Sequence, residues 1–355
     1  MTNLSERFRT LRPARKRAPD LDGADRQGAD DRASYVSIKN LTQRFPGRQG
    51  GTFLAVEDVS FKMARGEFVA VIGPSGCGKS TALNVLAGVF PPTEGVAAIG
   101  GVPVAGPRPD VGYMIARDAL LPWRRARQNV EFFLENRGVS RKERRARAES
   151  LLESMGLGDF KDAYPHQLSQ GMRQRVSLAR TLAPNPNLLL MDEPFSALDA
   201  QTRRDVQEWF LEIWEREHKT VLFVTHDLEE AILLADRVVV MTGQPGRIHL
   251  ERTVPLPRPR GKLALWLFNP TFRALHEEIW RDLETASLQN NVRAAGADWR
   301  ASEGDEAGAA PAHLHHSGAG DLPEESPAPL AMERHREGLL PRSRFANPEA
   351  SWDQA

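Results

Sequence analysis

A glycine-rich segment between an apolar run and a predicted helix constrains this chain more than any other feature of its sequence. Residues 73–81 read GPSGCGKST and fit the pattern G-x-x-x-x-G-K-[ST], which is typical of phosphate-binding loops. The preceding run 68–72, FVAVI, is flanked by glycines and predicts a buried parallel strand. The run 81–88 predicts a helix that ends at a glycine. This strand–loop–helix order favours a phosphate-binding loop over a glycine-rich turn that only packs.

The residue types in this loop suit a nucleoside triphosphate and its metal ion. Glycines let the backbone approach phosphate groups closely and adopt positive φ at little cost. Successive N–H groups and the positive end of the following helix then form an anion-binding nest. Lys79 is expected to contact the β- and γ-phosphates, and Ser80 is expected to ligate Mg²⁺. Cys77, the one cysteine of the chain, is expected to be a small residue in a tight loop, with a reactive thiol as the alternative.

Carboxylates follow a second apolar run, LLLM at 188–191. The run predicts a buried strand that leads directly into Asp192 and Glu193. Beside a phosphate-binding loop, this arrangement suits positioning of Mg²⁺ by Asp192 and activation of the attacking water by Glu193. The alternative is an incidental pair of acidic residues.

Apolar strands alternate with helices in the second half of the chain. Residues 221–225 predict a strand that ends at His226, residues 228–235 a helix, and residues 238–241 another strand. Such alternation indicates a parallel sheet with functional residues at the carboxyl ends of its strands. We therefore expect His226 to contact a γ-phosphate, with a structural histidine as the alternative.

The first half is less regular. Its patterns predict short strands at 36–38, 41–45, 53–61, 96–104 and 111–115. They then predict a helical zone at 129–156. Phe45 is either a ring that stacks on a nucleotide base or a plain core residue. The run LLPW at 120–123 is either an exposed docking patch or core. The basic run 141–147 favours the solvated face of a helix over a binding patch. Ser169 is a natural N-cap that leaves helical N–H groups aimed outward.

Composition limits the function classes and the domain plan. The chain has 355 residues and a net charge of zero, so no global positive field favours nucleic acid as a partner. The segments 1–33 and 286–355 lack apolar periodicity and predict a disordered N-terminal extension and a disordered tail. Between them we expect a nucleotide-binding domain at 34–250 and a C-terminal extension at 251–285, with an amphipathic helix over 269–283.

The order of these motifs resembles that of the ATP-binding cassette (ABC) subunits of transporters, in particular those serving nitrate, sulfonate, taurine and bicarbonate importers. The resemblance covers about 36–283 and rests on GPSGCGKST, LSQGMRQRVSLAR, LLLMDEPFSALD and VTHD in the family's order. The LLPW run and the closing FNPTFRALHEEIWRDL point to the narrower group. The resemblance implies an α/β fold: a P-loop NTPase with a RecA-like, mostly parallel sheet core, an N-terminal antiparallel β subdomain and a helical signature subdomain.

The resemblance also implies a set of site residues. Residues 73–81 are then the Walker A loop and 188–193 the Walker B strand, Phe45 stacks on adenine, and His226 is the switch histidine. The segment 196–199 links the two sites of a dimer. The catalytic residues would be Lys79, Glu193 and His226, the metal ligands Ser80 and Asp192, and the ATP-binding residues Phe45, Gly73, Pro74, Ser75, Gly76, Cys77, Gly78, Lys79, Ser80 and Thr81, joined from the opposite subunit by Ser169, Gln170 and Gly171.

The partners and cofactors follow from the same resemblance. It implies ATP with Mg²⁺, a second ABC ATPase subunit as partner (a homodimer), a transmembrane permease, and indirectly a secreted solute-binding protein. ATP held between two subunits closes the dimer, and its hydrolysis releases the dimer and can drive the permease. The subunit would lie at the cytoplasmic face of the membrane and power uptake of a small anion-type solute.

The sequence departs from the family pattern at two places. The signature, usually LSGGQ, reads LSQGM at 168–172. Counting back from 120–123, the glutamine that contacts Mg²⁺ in the family falls on Ala116, which has no oxygen to offer. Water or Asp118 could fill the coordination site. We hypothesise that hydrolysis survives while coupling between this loop and the permease is altered.

Two other functions are weighed against the importer subunit. A soluble ABC ATPase acting on nucleic acid or ribosomes usually carries two cassettes or added nucleic-acid modules, whereas this chain has one cassette and no net positive charge. A non-hydrolytic or weakly hydrolytic ATP-binding regulatory subunit is motivated by Ala116 alone.

Overall fold

Two β-sheets and the helices packed against them form the part of the chain that the computed structural model describes, residues 34–47, 51–116 and 118–285. The extension predicted at 1–33 and the tail predicted at 286–355 lie outside these residues. The strands, in chain order, are β1 Ser34–Pro46, β2 Thr52–Ala64, β3 Phe68–Ile72, β4 Glu94–Ile99, β5 Val102–Pro103, β6 Val111–Met114, β7 Leu188–Asp192, β8 Thr220–Val224, β9 Arg237–Thr242 and β10 Arg247–Thr253.

The smaller sheet is antiparallel, with the strand order β2-β1-β4-β5. The runs predicted at 36–38 and 41–45 form one strand, β1, because a bulge interrupts their alternation rather than a turn. Asn40 and Asp58 stand at this irregularity with φ of 49° and 51°, and Asn40 Nδ2 donates a 2.7 Å hydrogen bond to Asp58 Oδ1. Asn and Asp tolerate the left-handed region better than most residues, so the bulge is stable and both long strands continue through it.

The larger sheet has the order β10-β9-β3-β8-β7-β6, and only β10 is antiparallel to its neighbour among these strands. Every residue of β3, β7 and β8 is buried, as expected for parallel strands that are covered on both faces. This sheet confirms the predicted α/β class and the mostly parallel core. It also brings the carboxyl ends of β3, β7 and β8 to one edge.

The helices are α1 Lys79–Leu86, α2 Ala126–Asn136, α3 Arg141–Ser154, α4 Gln170–Leu182, α5 Ala200–Glu217, α6 Leu228–Leu234, α7 Leu263–Trp266 and α8 over 270–285. The predicted helical zone divides into α2 and α3 at Gly138, which has φ 71°. Ser140 then caps α3 by accepting a hydrogen bond from the N–H of Glu143. Helices α2, α3 and α4 pack on one another as a helical subdomain.

The core lies on both faces of the larger sheet. Alternate residues of β3 point to opposite sides, so that Val69 and Val71 join the cluster beneath the antiparallel sheet and α1, while Phe68 joins the cluster beneath the other helices. The Phe68 ring meets those of Phe210, Trp214 and Phe223 edge-on, with centroids 5.5–6.1 Å apart.

The C-terminal segment packs into the same core. The amphipathic helix predicted at 269–283 is observed as α8, and its buried face adds Phe272, Leu275 and Ile279 to the cluster that contains Phe68. That the nucleotide-binding domain ends at residue 250 and a separate extension begins at 251 stays a prediction. None of the helices in the described residues is both long and apolar enough to cross a membrane.

Candidate active site

The loop between β3 and α1 folds as strand, turn and helix, as predicted. Gly78 is the N-cap of α1 with φ 89°, a conformation that favours glycine. The loop is also tightly enclosed, because a Cβ at Gly78 would lie 2.2 Å from Val56 Cγ1 and one at Gly73 would lie 2.4 Å from the carbonyl oxygen of Met241. Gly73 and Gly78 are therefore required by space as well as by φ.

Lys79 is the first residue of α1, and its side chain reaches back to this loop. Its Nζ donates to the carbonyl oxygens of Gly73 at 2.8 Å and Pro74 at 2.9 Å, and the residue is only 7% exposed. The Cys77 thiol is also buried, and this burial raises its pKa. A raised pKa disfavours the thiolate, so Cys77 fits a small packing residue better than a reactive thiol.

Asp192 and Ser80 lie close to each other on neighbouring elements, Asp192 at the end of β7 and Ser80 in the first turn of α1. The Asp192 carboxylate is buried. Burial raises the pKa of Asp192, the nearby charge of Glu193 raises it further, and Ser80 and Lys79 oppose the shift. A hydroxyl and a carboxylate near a lysine ammonium are oxygen donors that fit Mg²⁺ with a phosphate.

Glu193 and His226 form a pair at the ends of adjacent parallel strands. Glu193 Oε1 lies 3.3 Å from His226 Nδ1, and the Glu193 N–H donates to the carbonyl oxygen of Val224 at 2.9 Å. Glu193 itself has φ 45°, an unfavourable conformation for a residue with a Cβ and one that is often found at functional sites. The pairing of β7 with β8 thus brings together residues that lie far apart in the sequence.

Phe45 keeps both of its interpretations in part. Its ring is half-buried and meets the ring of Phe90 edge-on, with centroids 5.5 Å apart. Phe90 therefore constrains the orientation of the ring, and stacking of its exposed part on a nucleotide base stays a prediction. The sequence analysis did not predict the contact between Phe90 and Phe45. The one available clue was that Phe90 is an aromatic residue shortly after α1.

The signature segment begins α4, as predicted. Ser169 Oγ accepts a 3.2 Å hydrogen bond from the N–H of Met172, and Ser169 and Gln170 are exposed. Gly171 faces the segment 196–199, since a Cβ there would lie 3.3 Å from Leu198 Cδ2. The start of α4 is therefore an exposed, capped helix terminus beside the segment that follows the Walker B strand.

The loop containing Ala116 is fastened to α4 by a set of contacts that we call the arginine clamp, made by Arg173 and Arg180. Arg173 Nε lies 2.7 Å from Asp118 Oδ2, and Arg180 donates to the carbonyl oxygens of Asp118 at 3.0 Å and Ala119 at 2.8 Å. Asp118 thus has a cationic partner, which speaks against the suggestion that it supplies a metal ligand. Ala116 is exposed.

In the LLPW run at 120–123 and the basic run at 141–147, some side chains are buried or half-buried and others are exposed. In the LLPW run, Leu120 is buried whereas Trp123 is 71% exposed. The basic run lies on α3 as predicted, with most of its side chains exposed. Arg144 instead reaches Glu131 on α2, and Arg147 is half-buried, where loss of water lowers its pKa.

The loop, the acidic strand end and the adjacent histidine on a mostly parallel sheet define a P-loop nucleoside triphosphatase. A family model described as ABC transporter matches residues 56–196. The chain is similar to the taurine import ATP-binding protein TauB of Jannaschia sp. (strain CCS1), at 42% identity over 69% of this chain and 92% of that protein. It is also similar to the nitrate import ATP-binding protein NrtD of Synechocystis sp. (strain PCC 6803), at 44% identity over 63% of this chain and 84% of that protein.

A solved structure agrees with these relatives. The dimeric post-hydrolysis structure of the ATP-binding cassette MJ0796 bound to ADP and Pi has a TM-score of 0.58 and 32% identity, covering 62% of this chain and 100% of that chain. The chain belongs to the ABC transporter family, as an importer-type subunit that binds and hydrolyses ATP.

Proposed function

We propose that this chain is the motor subunit of an importer for a small anionic solute, related in kind to taurine, sulfonate or nitrate. The names of the taurine and nitrate relatives support the direction of transport and the class of solute. The observation that carries the motor role is the convergence of Glu193 and His226, 3.3 Å apart, next to Asp192.

The site supports a division of labour around ATP and Mg²⁺. The backbone of 73–81 and Lys79 would hold the β- and γ-phosphates, while Ser80 and Asp192 would hold the metal, which supplies charge neutralisation at the phosphates. Glu193 would orient the attacking water and accept its proton. His226 would contact the γ-phosphate, and Phe45, supported by Phe90, would stack on adenine.

The second half of the site would come from another copy of the chain. The exposed, capped start of α4, with Ser169, Gln170 and Gly171, is suited to a γ-phosphate because helical N–H groups and the helix dipole favour anions. The contact of Gly171 with 196–199 would link this helix terminus to the opposite active site. ATP between two protomers then joins them, and hydrolysis separates them.

The partner of the dimer would be a transmembrane permease at the cytoplasmic face of the membrane, with a secreted solute-binding protein acting on the other side. Trp123 is a large exposed apolar residue that supports docking near the Ala116 loop. Because the arginine clamp fastens this loop to α4, a movement of the loop would be transmitted to the γ-phosphate contacts. Ala116 would leave hydrolysis intact and reduce the direct link between the metal and this loop.

The decisive experiment is sedimentation of Glu193→Gln with saturating ATP and Mg²⁺. The variant should bind ATP without hydrolysing it and should form a stable dimer, while Glu212→Gln, which changes an exposed acid on α5, should hydrolyse ATP normally. A Glu193→Gln variant that stays monomeric, with and without permease, contradicts the proposal.

A second measurement addresses Ala116. The unaltered chain should hydrolyse ATP, and Ala116→Gln should change turnover by less than about tenfold, or about 1.4 kcal/mol in barrier height. If the unaltered chain has no turnover and Ala116→Gln restores it, the native subunit is the non-hydrolytic regulator considered above.

A further inference from the structure

Glu230 is a buried carboxylate directly behind the turn that carries His226. It lies on α6 and is 7% exposed. Gln207 Nε2 on α5 donates to Glu230 Oε1 at 2.6 Å, and Thr225 Oγ1 donates to Glu230 Oε2 at 2.5 Å. Each carboxylate oxygen therefore has its own donor, which is what a buried carboxylate requires.

The same bonds fix both neighbours of His226. Thr225 Oγ1 also accepts from the N–H of Asp227 at 3.0 Å, and Asp227 Oδ1 accepts from the N–H of Glu230 at 3.1 Å. The N–H of Thr225 donates to the carbonyl oxygen of Val71 on β3 at 3.2 Å. The turn is thus bonded to Glu230 on one side and to the strand of the phosphate-binding loop on the other.

A small cavity connects this network with the catalytic pair. Glu230, Thr225 and Asp227 line one part of it, and Glu193 and His226 line another. Arg203, on the same helix as Gln207, also faces the cavity. A shift of the Thr225–Asp227 turn would therefore change how His226 meets Glu193.

The charged groups around Glu230 come from every element packed against it. Arg203 is the cation from α5, Asp227 is the anion from the turn, and Glu193 and His226 lie across the cavity. Burial raises the pKa of Glu230 to about 7, the Asp227 charge raises it as well, and the donors Thr225 and Gln207 and the charge of Arg203 lower it. Glu230 therefore changes its charge near neutral pH.

We propose that Glu230 is a positioning residue for ATP hydrolysis, whose ionised carboxylate orients the Thr225 hydroxyl and so holds His226 against Glu193. Protonation removes the negative charge of the carboxylate that accepts from the Thr225 hydroxyl. A charge-assisted hydrogen bond then becomes a weaker neutral one, and the turn loosens. In this role Glu230 acts through Thr225, to which it is hydrogen-bonded.

This inference rests on the hydrolytic part of the proposed function and is tested by ATP turnover of the full chain between about pH 6 and about pH 9. The kcat of the unaltered chain should fall as the pH drops below about 7. Glu230→Gln should lower kcat by about tenfold at high pH, with KM for ATP nearly unchanged, and should remove that acid limb. Glu229→Gln, which alters the exposed neighbouring acid on α6, should behave like the unaltered chain.

Variants of Thr225 provide a second test of the positioning role, which remains informative even if Glu230→Gln does not fold. Thr225→Val should lower kcat as Glu230→Gln does, Thr225→Ser should restore it, and the double variant should lose no more than either single one. If both Glu230→Gln and Thr225→Val keep normal kcat and the acid limb, the positioning role is wrong while hydrolysis stands. If the unaltered chain and Glu229→Gln both lack turnover, the proposed hydrolysis fails instead, and with it the inference that depends on it.

The pH dependence of the melting temperature distinguishes the positioning role of Glu230 from a purely structural role. Because burial raises its pKa, Glu230 binds a proton more tightly in the folded chain than in the unfolded chain, so its contribution to stability falls as pH rises toward about 7. Glu230→Gln should therefore gain melting temperature relative to the unaltered chain as pH rises, while it loses kcat. A variant that loses stability and activity together at every pH contradicts the positioning role.

Discussion

At Gly78 the phosphate-binding loop passes directly against β2. A Cβ at this position would lie 2.2 Å from Val56 Cγ1 and 2.9 Å from the carbonyl oxygen of Ala55, and φ is 89°. A left-handed conformation costs an L-residue about 1–2 kcal/mol. We predict that Gly78→Ala lowers the free energy of unfolding by more than this amount. It should also abolish ATP binding, because the loop must move away from β2 to make room.

Gly101 offers the matched control for that substitution. It has φ 77°, but a Cβ there would meet nothing within 4 Å. Gly101→Ala should therefore cost only the conformational term, and ATP affinity measured by calorimetry should stay unchanged. Equal losses of stability and affinity in both variants would mean that φ, and not the approach to β2, sets the requirement at Gly78.

The residues of the site differ in how far the sequence could predict them. Glu193 and His226 each follow a buried strand, and parallel strands bring such ends together, so their proximity was predictable. Glu230 was not, because an acidic residue in the first turn of a helix usually faces solvent and complements the dipole. Only the packing of α5 against α6, which brings Gln207 to it, buries the carboxylate.

At the scale of elements, the arginine clamp joins the Ala116 loop to α4. The ion pair of Asp118 with Arg173 is about two-thirds buried, with side chains 27% and 31% exposed. We predict that Asp118→Asn and Arg173→Gln each destabilise the fold by about 0.5–1.5 kcal/mol and that their effects are not additive. Both should also reduce the stimulation of ATP turnover by the permease, since the loop would no longer move with α4.

The pair Glu277–Arg281 provides the comparison. It joins residues i and i+4 of α8, and its side chains are 68% and 75% exposed. Removing it should cost at most about 0.5 kcal/mol and should leave permease stimulation unchanged. A double-mutant cycle in urea gives both coupling energies, and a clamp coupling no larger than that of the exposed pair would refute its proposed role.

Elements were predictable where burial alone determines them. The strands β3, β7 and β8 are continuous apolar runs and were predicted within a residue or two. β1 was seen as two runs because the bulge at Asn40 and Asp58 breaks the alternation of buried side chains. The clamp could not be predicted at all, because Asp118 and Arg173 are 55 residues apart and meet only through the packing of α4.

For the whole molecule, α6 connects the catalytic edge of the sheet with the C-terminal segment. Its first turn carries Glu230, and its last carbonyl groups are capped by Arg260, which is 2% exposed. Arg260 Nη1 donates to the carbonyl oxygens of Ile232 at 3.0 Å, Leu233 at 2.9 Å and Ala235 at 2.7 Å. A cation at the carboxyl end of a helix also complements its dipole. The segment beyond β10 therefore helps to place the helix that supports His226.

We predict that Arg260→Met lowers the free energy of unfolding by about 3–5 kcal/mol. Methionine has no N–H group, so the buried carbonyl oxygens at the end of α6 lose their hydrogen-bond donor. Surviving folded protein should show a lower kcat for ATP hydrolysis, since α6 loses its anchor at the end opposite to Glu230. Arg252→Met is the control: its side chain is 36% exposed and pairs with Glu278 and Asp282, so its loss should cost less than about 1 kcal/mol. Urea unfolding and turnover of the two variants, measured side by side, test the prediction. Similar small losses in both would show that the C-terminal segment covers the core without fixing α6.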